Sequence, residues 1–336
     1  MAVSDRITMA HGAGGNASKD LISKVFKKHF SNKILNSLND AAVFDIKNTK
    51  VAFSTDTFVI NPVFFNGGDI GKLAVCGTIN DISVMGAKPA VMSAAAVIEE
   101  GFPLKDLEKI VKSMAQTAKK AGINIVTGDT KVVKKGEADG IFINTSAVGI
   151  VKDNVNLSAE NAKDGDSVIL SGNIAQHGIS VMLSRDNLGF KNNIKSDCSC
   201  LNALTSDILK ASRNVKIMRD PTRGGVAAAL NEISESSNVG IVIDASALPV
   251  SKDVAAVCRI LGFDPLYMAN EGKIISIQKE SDTEKVLNAC KKNILGKNAA
   301  VIGKVVKNPK GVWIKTSSGG LRRVLNTDME QIPRIC

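Results

Sequence analysis

Four aspartates and a glycine loop in the first half of this 336-residue sequence point to chemistry on a polyphosphate. Asp40 precedes the strand-like run Ala41–Ile46, Asp56 closes Val51–Thr55, Asp81 follows Asn80, and Asp129 follows Ile123–Thr127 in Gly128-Asp129-Thr130. Taken singly, each is an ordinary turn or cap residue. Together, with Thr and Asn beside them, they make a hard-oxygen donor set of the kind Mg²⁺ and a nucleotide require. His11-Gly12-Ala13-Gly14-Gly15 stands before an amphipathic segment, Leu21–Phe30, where glycine amides and a helix start favour an anion. It is neither a Walker A loop nor a dinucleotide fingerprint. Arg219-Asp220-Pro221-Thr222-Arg223-Gly224-Gly225 forms a second glycine-rich helix entrance, and its two guanidiniums suit phosphate. Asn270-Glu271-Gly272-Lys273 offers a carboxylate that reads either as a general base or as a solvated turn.

The sequence ends Pro333-Arg334-Ile335-Cys336. A thiol on a loose tail is poorly placed for packing and well placed to carry a covalently attached group; an incidental surface cysteine is the alternative. From Val324 onward no periodic apolar pattern continues. Those thirteen residues, extended at about 3.3 Å each, would reach roughly 40 Å.

Alternating elements must position these groups. Helical spacing is expected over Asp69–Met85 and from Leu104 to Ala118, with strands at Ala90–Ile98 and Ile141–Val151. A polar stretch around Lys152–Asp166 marks a domain junction, so the expected division is 1–154, 155–323 and a mobile tail, 324–336. In the second half, strands are expected at Ser167–Ser171, Val239–Ile243, Lys273–Ile277, Ala300–Val306 and Val312–Thr316. Helices are expected at Gly178–Arg185, Leu201–Asn214, Gly225–Ser236, Lys252–Leu261 and Glu284–Lys292. The fold class is α+β of the α/β type, two domains with mixed sheets flanked by helices.

Composition narrows the function. A hydrophobic content of 44% and a charged content of 23% are ordinary for a globular chain. No run approaches a membrane span and no secretory pattern opens the sequence, so a cytoplasmic protein without a membrane partner is expected. The net charge of +10 is spread in doublets with one Trp and one Tyr, which argues against nucleic acid as a partner. Six scattered cysteines form no disulfide scaffold, and Cys198-Ser199-Cys200 reads as a loop with two free thiols.

These motifs together resemble the ATP-dependent superfamily of aminoimidazole ribonucleotide synthetase, selenophosphate synthetase and thiamine-monophosphate kinase. Within it the sequence is most similar to the hydrogenase-maturation carbamoyl dehydratases. The resemblance spans essentially the whole chain: His11–Gly15, Asn39–Val43, Ser54–Thr57, Asn61–Pro89, Val126–Lys131, Asp220–Gly225, Asn270–Lys273 and Pro333–Cys336. It departs at Asn39, where that family often has a second acidic residue. The resemblance implies a homodimer whose N-terminal sheets build a shared β-barrel. It also implies ATP and Mg²⁺ as cofactors, with Gly12, Gly14, Gly15, Asp81, Thr130, Arg219 and Arg223 toward ATP and Asp40, Asp56, Asp81 and Asp129 toward metal. A HypF-like carbamoyltransferase would load Cys336, ATP would dehydrate the thiocarbamate to a thiocyanate, and a HypC–HypD-like iron scaffold would accept the cyanide. Glu271 is then the first candidate for the base, and Lys134 would orient the carbamoyl group or share that role. A selenide- or phosphate-activating enzyme of the same superfamily is the nearest alternative.

Overall fold

Two separate mixed sheets organise the computed structural model, which describes residues 6–185, 193–316, 318–326 and 332–336. The chain opens with a 3-10 turn, Met9–Gly12, then α1 (Asn16–Leu21), which widens through Ile22–Phe26 into α2 (Lys27–Phe30). β1 (Ala42–Ile46) and β2 (Thr49–Phe58) pair as a hairpin, as do β3 (Phe64–Phe65) and β4 (Gly68–Asp69). α3 (Ile70–Val84), β5 (Ala87–Glu99), α4 (Leu104–Ala121), β6 (Asn124–Val133) and β7 (Ile141–Val151) follow. The first sheet runs β1-β2-β7-β5-β6, antiparallel except between β5 and β6. A parallel pair needs a crossover, and α4 supplies it.

α3 is the central helix. It buries every residue except Lys72 and Asp81, so the apolar side chains go all round it instead of forming a stripe. The Asp69 carboxylate caps it, accepting from the N–H groups of Gly71 and Lys72 at 2.8 and 3.0 Å. α4 buries only Ile110, Met114, Thr117 and Ala118, and ends at Gly122 in the left-handed region. β6 is an edge strand exposed over almost its whole length, Ile125, Val126 and Val132 included.

The second sheet contains β8 (Ser167–Leu170), β9 (Val215–Arg219), β10 (Gly240–Asp244), β11 (Ile275–Gln278), β12 (Ala300–Val306), β13 (Gly311–Lys315) and β14 (Leu321–Val324). Its order is β14-β13-β10-β12-β8-β11-β9, parallel only between β10 and β13. Helices α5 (Gln176–Arg185), α6 (Asn202–Ala211), α7 (Gly225–Ser236), α8 (Lys252–Leu261) and α9 (Thr283–Lys292) connect it. Ala175, Ile179 and Met182, at and within α5, and Val254 and Val257 of α8 join the core of the first half, which fastens the two sheets across a seam.

Several expectations are corrected. β9 and β14 are strands where no strand was expected. Asp56 and Asp129 lie inside longer strands, because pairing of β2 with β7 and of β6 with β5 carries the ladder past their Asp, Thr and Gly residues. Among the described residues of this one chain, neither sheet closes into a barrel. The tail is not free from Val324: that residue is buried and pairs with Val312, while part of the stretch beyond it, 327–331, lies outside the described residues. Residues 332–336 return to the first half and dock there, with Ile332 and Ile335 buried.

Candidate active site at the seam

Carboxylates from both halves converge at this seam. β2 contributes Asp56, α3 contributes Asp81, and Asp40 lies just ahead of β1. The loop after β9 brings Asp220, and the segment before β11 brings Glu271. Ser54 donates to Asp81 Oδ2 at 2.6 Å, and Thr78 to Asp56 Oδ2 at 3.3 Å. Helical spacing explains α3's two roles. Cys76 and Asn80 share one face, and Asn80 donates its amide to the carbonyls of Ser199 and Glu271 while accepting from Leu201 N–H at 2.8 Å. Asn270 is a second buried staple, accepting from Ala175 N–H and donating to the Pro221 and Met268 carbonyls. Between these two asparagines Glu271 is held 2% exposed, its N–H on Asp197 Oδ1 at 3.1 Å. Gly272 permits this approach, since a Cβ there would meet the Asp197 carbonyl at 2.0 Å.

Crowding makes these acids reluctant to ionise. Burial pushes Asp40 up to about 6, with Arg219 opposing and Glu232 and Asp56 reinforcing the rise. Burial, then Asp40, carries Asp220 up to about 8. Asp81 is raised well above the carboxylate range by burial and by Asp56, Asp220 and Asp40. Asp56 rises by burial, although hydrogen bonds from Asp81 and Thr78 and the charge of Arg223 hold it back. Glu271 rises strongly through burial and the neighbouring Cys198, Asp220 and Asp197. Buried acids that repel one another are stabilised as anions by a cation. Asp220 Oδ2 and Glu271 Oε1 have no hydrogen-bond partner, so hard-oxygen lone pairs face the site unspent. This donor set fits Mg²⁺. Among the described residues no three acidic, histidine or cysteine side chains already form a ready metal cage. Such a site suits an ion that arrives with phosphate oxygens as its other ligands.

The structure gathers some sequence-stated residues and separates others. Asp40, Asp56, Asp81 and Glu271 come together. The loop Gly12–Gly15 lies against Arg223, whose guanidinium donates to Gly12 C=O at 2.7 Å; Gly14, at φ +80°, packs beside it. Arg219 is corrected: it pairs with Asp40 at 3.1 Å and Glu232 at 2.6 Å, which hold it protonated against its burial, and it acts as an internal counter-ion. Asp129, Thr130 and Lys134 are not gathered here. They occupy the exposed edge strand β6 and the turn after it, away from the cluster of their own chain. Asp129 pairs with Lys131 at 2.6 Å, which lowers its pKa, and the Lys134 N–H binds Glu137. Asn39 accepts from the Ala159 N–H at 3.2 Å and thereby ties the two halves.

Sequence reading also missed partners. Asp220 follows a strand as Asp56 and Asp129 were expected to, and the two flanking arginines drew attention from it. Cys76 meets Cys200 at 3.4 Å and Cys198 lies beside them, so three thiols cluster where a two-thiol loop was expected, with Cys198 neighbouring Glu271. A separate cleft of about 500 Å³, lined in part by Lys88, Lys152, Lys210 and Arg213, holds none of these acids.

The tail docks on the strand exit beyond Asp56. Val59 N–H donates to Cys336 C=O at 3.1 Å and Asn61 N–H to Arg334 C=O at 3.2 Å, an antiparallel pairing. Arg334 donates to Val59 C=O at 2.9 Å and also pairs with Asp139; Arg185 Nη2 donates to Arg334 C=O at 2.6 Å.

Two mixed sheets joined at an acidic, glycine-edged seam are the architecture of the AIR synthase related proteins. The N-terminal domain model of that family matches residues 38–151 and the C-terminal domain model matches 163–315. Within that class, the carbamoyl dehydratase HypE of Rhizobium leguminosarum bv. viciae is 47% identical over 333 residues, covering 98% of this chain and 95% of its own. The crystal structure of a HypE–HypF complex aligns with TM-score 0.88 at 48% identity, over 91% of this chain and 99% of that one. That of a hydrogenase maturation protein HypE with ATP aligns with TM-score 0.83 at 41% identity, over 98% and 100%. The chain belongs to the carbamoyl dehydratase HypE family. No helix among the described residues is long and apolar enough to cross a membrane.

Proposed function

We propose that this chain carries a carbamoyl group on Cys336 and dehydrates it to a thiocyanate with ATP, supplying cyanide for hydrogenase maturation. The observation that carries the reading is the docking of Cys336 on Val59, three residues beyond Asp56 and about 10 Å along an extended chain. From that dock the thiol would have a short path to the seam that holds the carboxylates.

A primary amide oxygen is a poor leaving group. In the proposed reaction the S-carboxamide oxygen bonds to the γ-phosphorus as ADP departs. Its C–O bond then breaks, the oxygen leaves in phosphate, and both N–H protons are lost. Glu271 takes the first, since its buried, partnerless Oε1 and raised pKa make it a basic carboxylate once ionised, and the departing phosphate takes the second. Asp40, Asp56, Asp81 and Asp220 would hold Mg²⁺, which when bound neutralises the phosphate charge. The glycine loop, held by Arg223, would face the polyphosphate, since the charge of Arg223 reaches Asp56. The seam excludes water and so protects the phosphorylated amide from hydrolysis.

The exposed edge strand β6 supports a homodimer, since long apolar edges are covered in stable proteins. A second copy placed there would close the barrel and carry Asp129, Thr130 and Lys134 toward a site. The partners proposed are a HypF-like transferase that loads Cys336 and a HypC–HypD-like scaffold that takes the cyanide. The division at 1–154, 155–323 and 324–336 is likewise proposed, with Val324 staying in its sheet while residues 332–336 leave their dock to be loaded.

Intact mass spectrometry with the carbamoyl donor, the transferase and ATP tests this. The peptide ending at Cys336 gains one carbamoyl group and then loses one water, while a Cys336→Ala chain stays unlabelled. Label retained by that variant would end the reading.

A further inference from the structure

His177 is fully buried near the start of α5, and no step above uses it. Its Nε2 lies 2.8 Å from the Ile335 carbonyl, and its Nδ1 lies 2.8 Å from Ser196 Oγ. A carbonyl only accepts, so Nε2 carries the proton. Burial keeps the ring from taking a second, although Asp197 and the Ile335 carbonyl favour one. Nδ1 is therefore an acceptor and Ser196 donates to it. Ser196 Oγ in turn accepts from the Cys198 N–H at 3.0 Å, and Ser196 N–H is fixed on Asn66 C=O at 2.8 Å. Phe65 packs edge-on against the imidazole, with ring centres 5.4 Å apart. The adjoining residue, Asp197, receives the Glu271 N–H. One ring thus joins the docked tail to the segment that holds the carboxylate.

We infer that His177 is a positioning residue, a latch that senses the seated tail through Nε2 and aligns the Ser196–Cys198 segment behind Glu271 through Nδ1. The inference rests on the carrier reading of Cys336. An unseated tail leaves Nε2 with a buried, unanswered donor, a cost that favours reseating. Seating and alignment of Glu271 become one event, so the base is in register only when the cargo is present.

The two ring nitrogens can be separated by substitution. A glutamine amide reaches as far as Nε2 and keeps the bond to Ile335; an asparagine reaches only Nδ1 and keeps the bond to Ser196. The readout is the rate at which iodoacetamide alkylates Cys336, followed by mass spectrometry of its peptide, beside a melting curve for each chain. His177→Asn should alkylate about tenfold faster, the effect of one buried hydrogen bond. His177→Gln should alkylate near the wild-type rate yet dehydrate a loaded tail more slowly. The inference is overturned if a normally melting His177→Asn chain alkylates at the wild-type rate, or if both variants speed alkylation equally. Alkylation needs neither transferase nor ATP. A wild-type chain that never accepts a carbamoyl group would therefore sink the carrier reading while leaving the latch measurement standing.

Discussion

Glu271 shows how far one residue depends on its surroundings. The same side chain on an open turn would be a solvated acid; here Asn80 holds its carbonyl, Asp197 holds its N–H, Cys198 lies beside it, and burial makes it basic. Replacing it with glutamine preserves shape and removes only the ionisable oxygen. Glu271→Gln is expected to lower the dehydration rate by about 10²- to 10⁴-fold while ATP still binds. Single-turnover assays on a preloaded tail measure this, and an unchanged rate would move the proton acceptor elsewhere. Asp40, Asp56 and Asp81 were legible in the sequence because each sits beside an apolar run. His177 was not, because nothing in its neighbours signals that a residue 158 positions away will meet it.

At the scale of elements, the strong helices were readable and the sheet edges were not. α4 shows a clear apolar face and α3 a continuous apolar run, so both were legible from spacing alone. β9 and β14 are short strands that exist because neighbours pair with them, a cause invisible to local pattern. Likewise the exposure of β6 depends on which strand lies beside it. Its Val132 is 69% exposed on that outer edge. A charge there should oppose association of two copies: Val132→Glu is expected to shift the chain toward monomer in analytical ultracentrifugation, with a circular dichroism spectrum like that of the unmodified chain. A monomeric wild-type protein that dehydrates the loaded tail at full rate would remove the need for the seam partner.

For the molecule as a whole, the acidic seam sets a pH dependence. Folded Asp40 titrates at about 6 and folded Asp220 at about 8. Unfolded aspartate titrates near 4. Between these limits the folded chain keeps protons that the unfolded chain has lost, so stability falls as pH rises. The contribution is complete below about pH 4 and is lost as pH passes through 6 and then 8. Without divalent cations, the melting temperature should drop by several degrees between about pH 5.5 and 8.5, and Asp220→Asn should flatten that slope. A melting temperature that climbs over that range would contradict the buried, repelling arrangement. The pairing of residues 334–336 with Val59 and Asn61 has a different consequence, one of kinetics. Because cargo and carboxylates share one covalent thread, conversion of cargo becomes a first-order event, indifferent to dilution for as long as two copies stay paired. Scarcity of the protein in a cell would then limit how often it is loaded, and not how quickly a loaded, paired copy finishes.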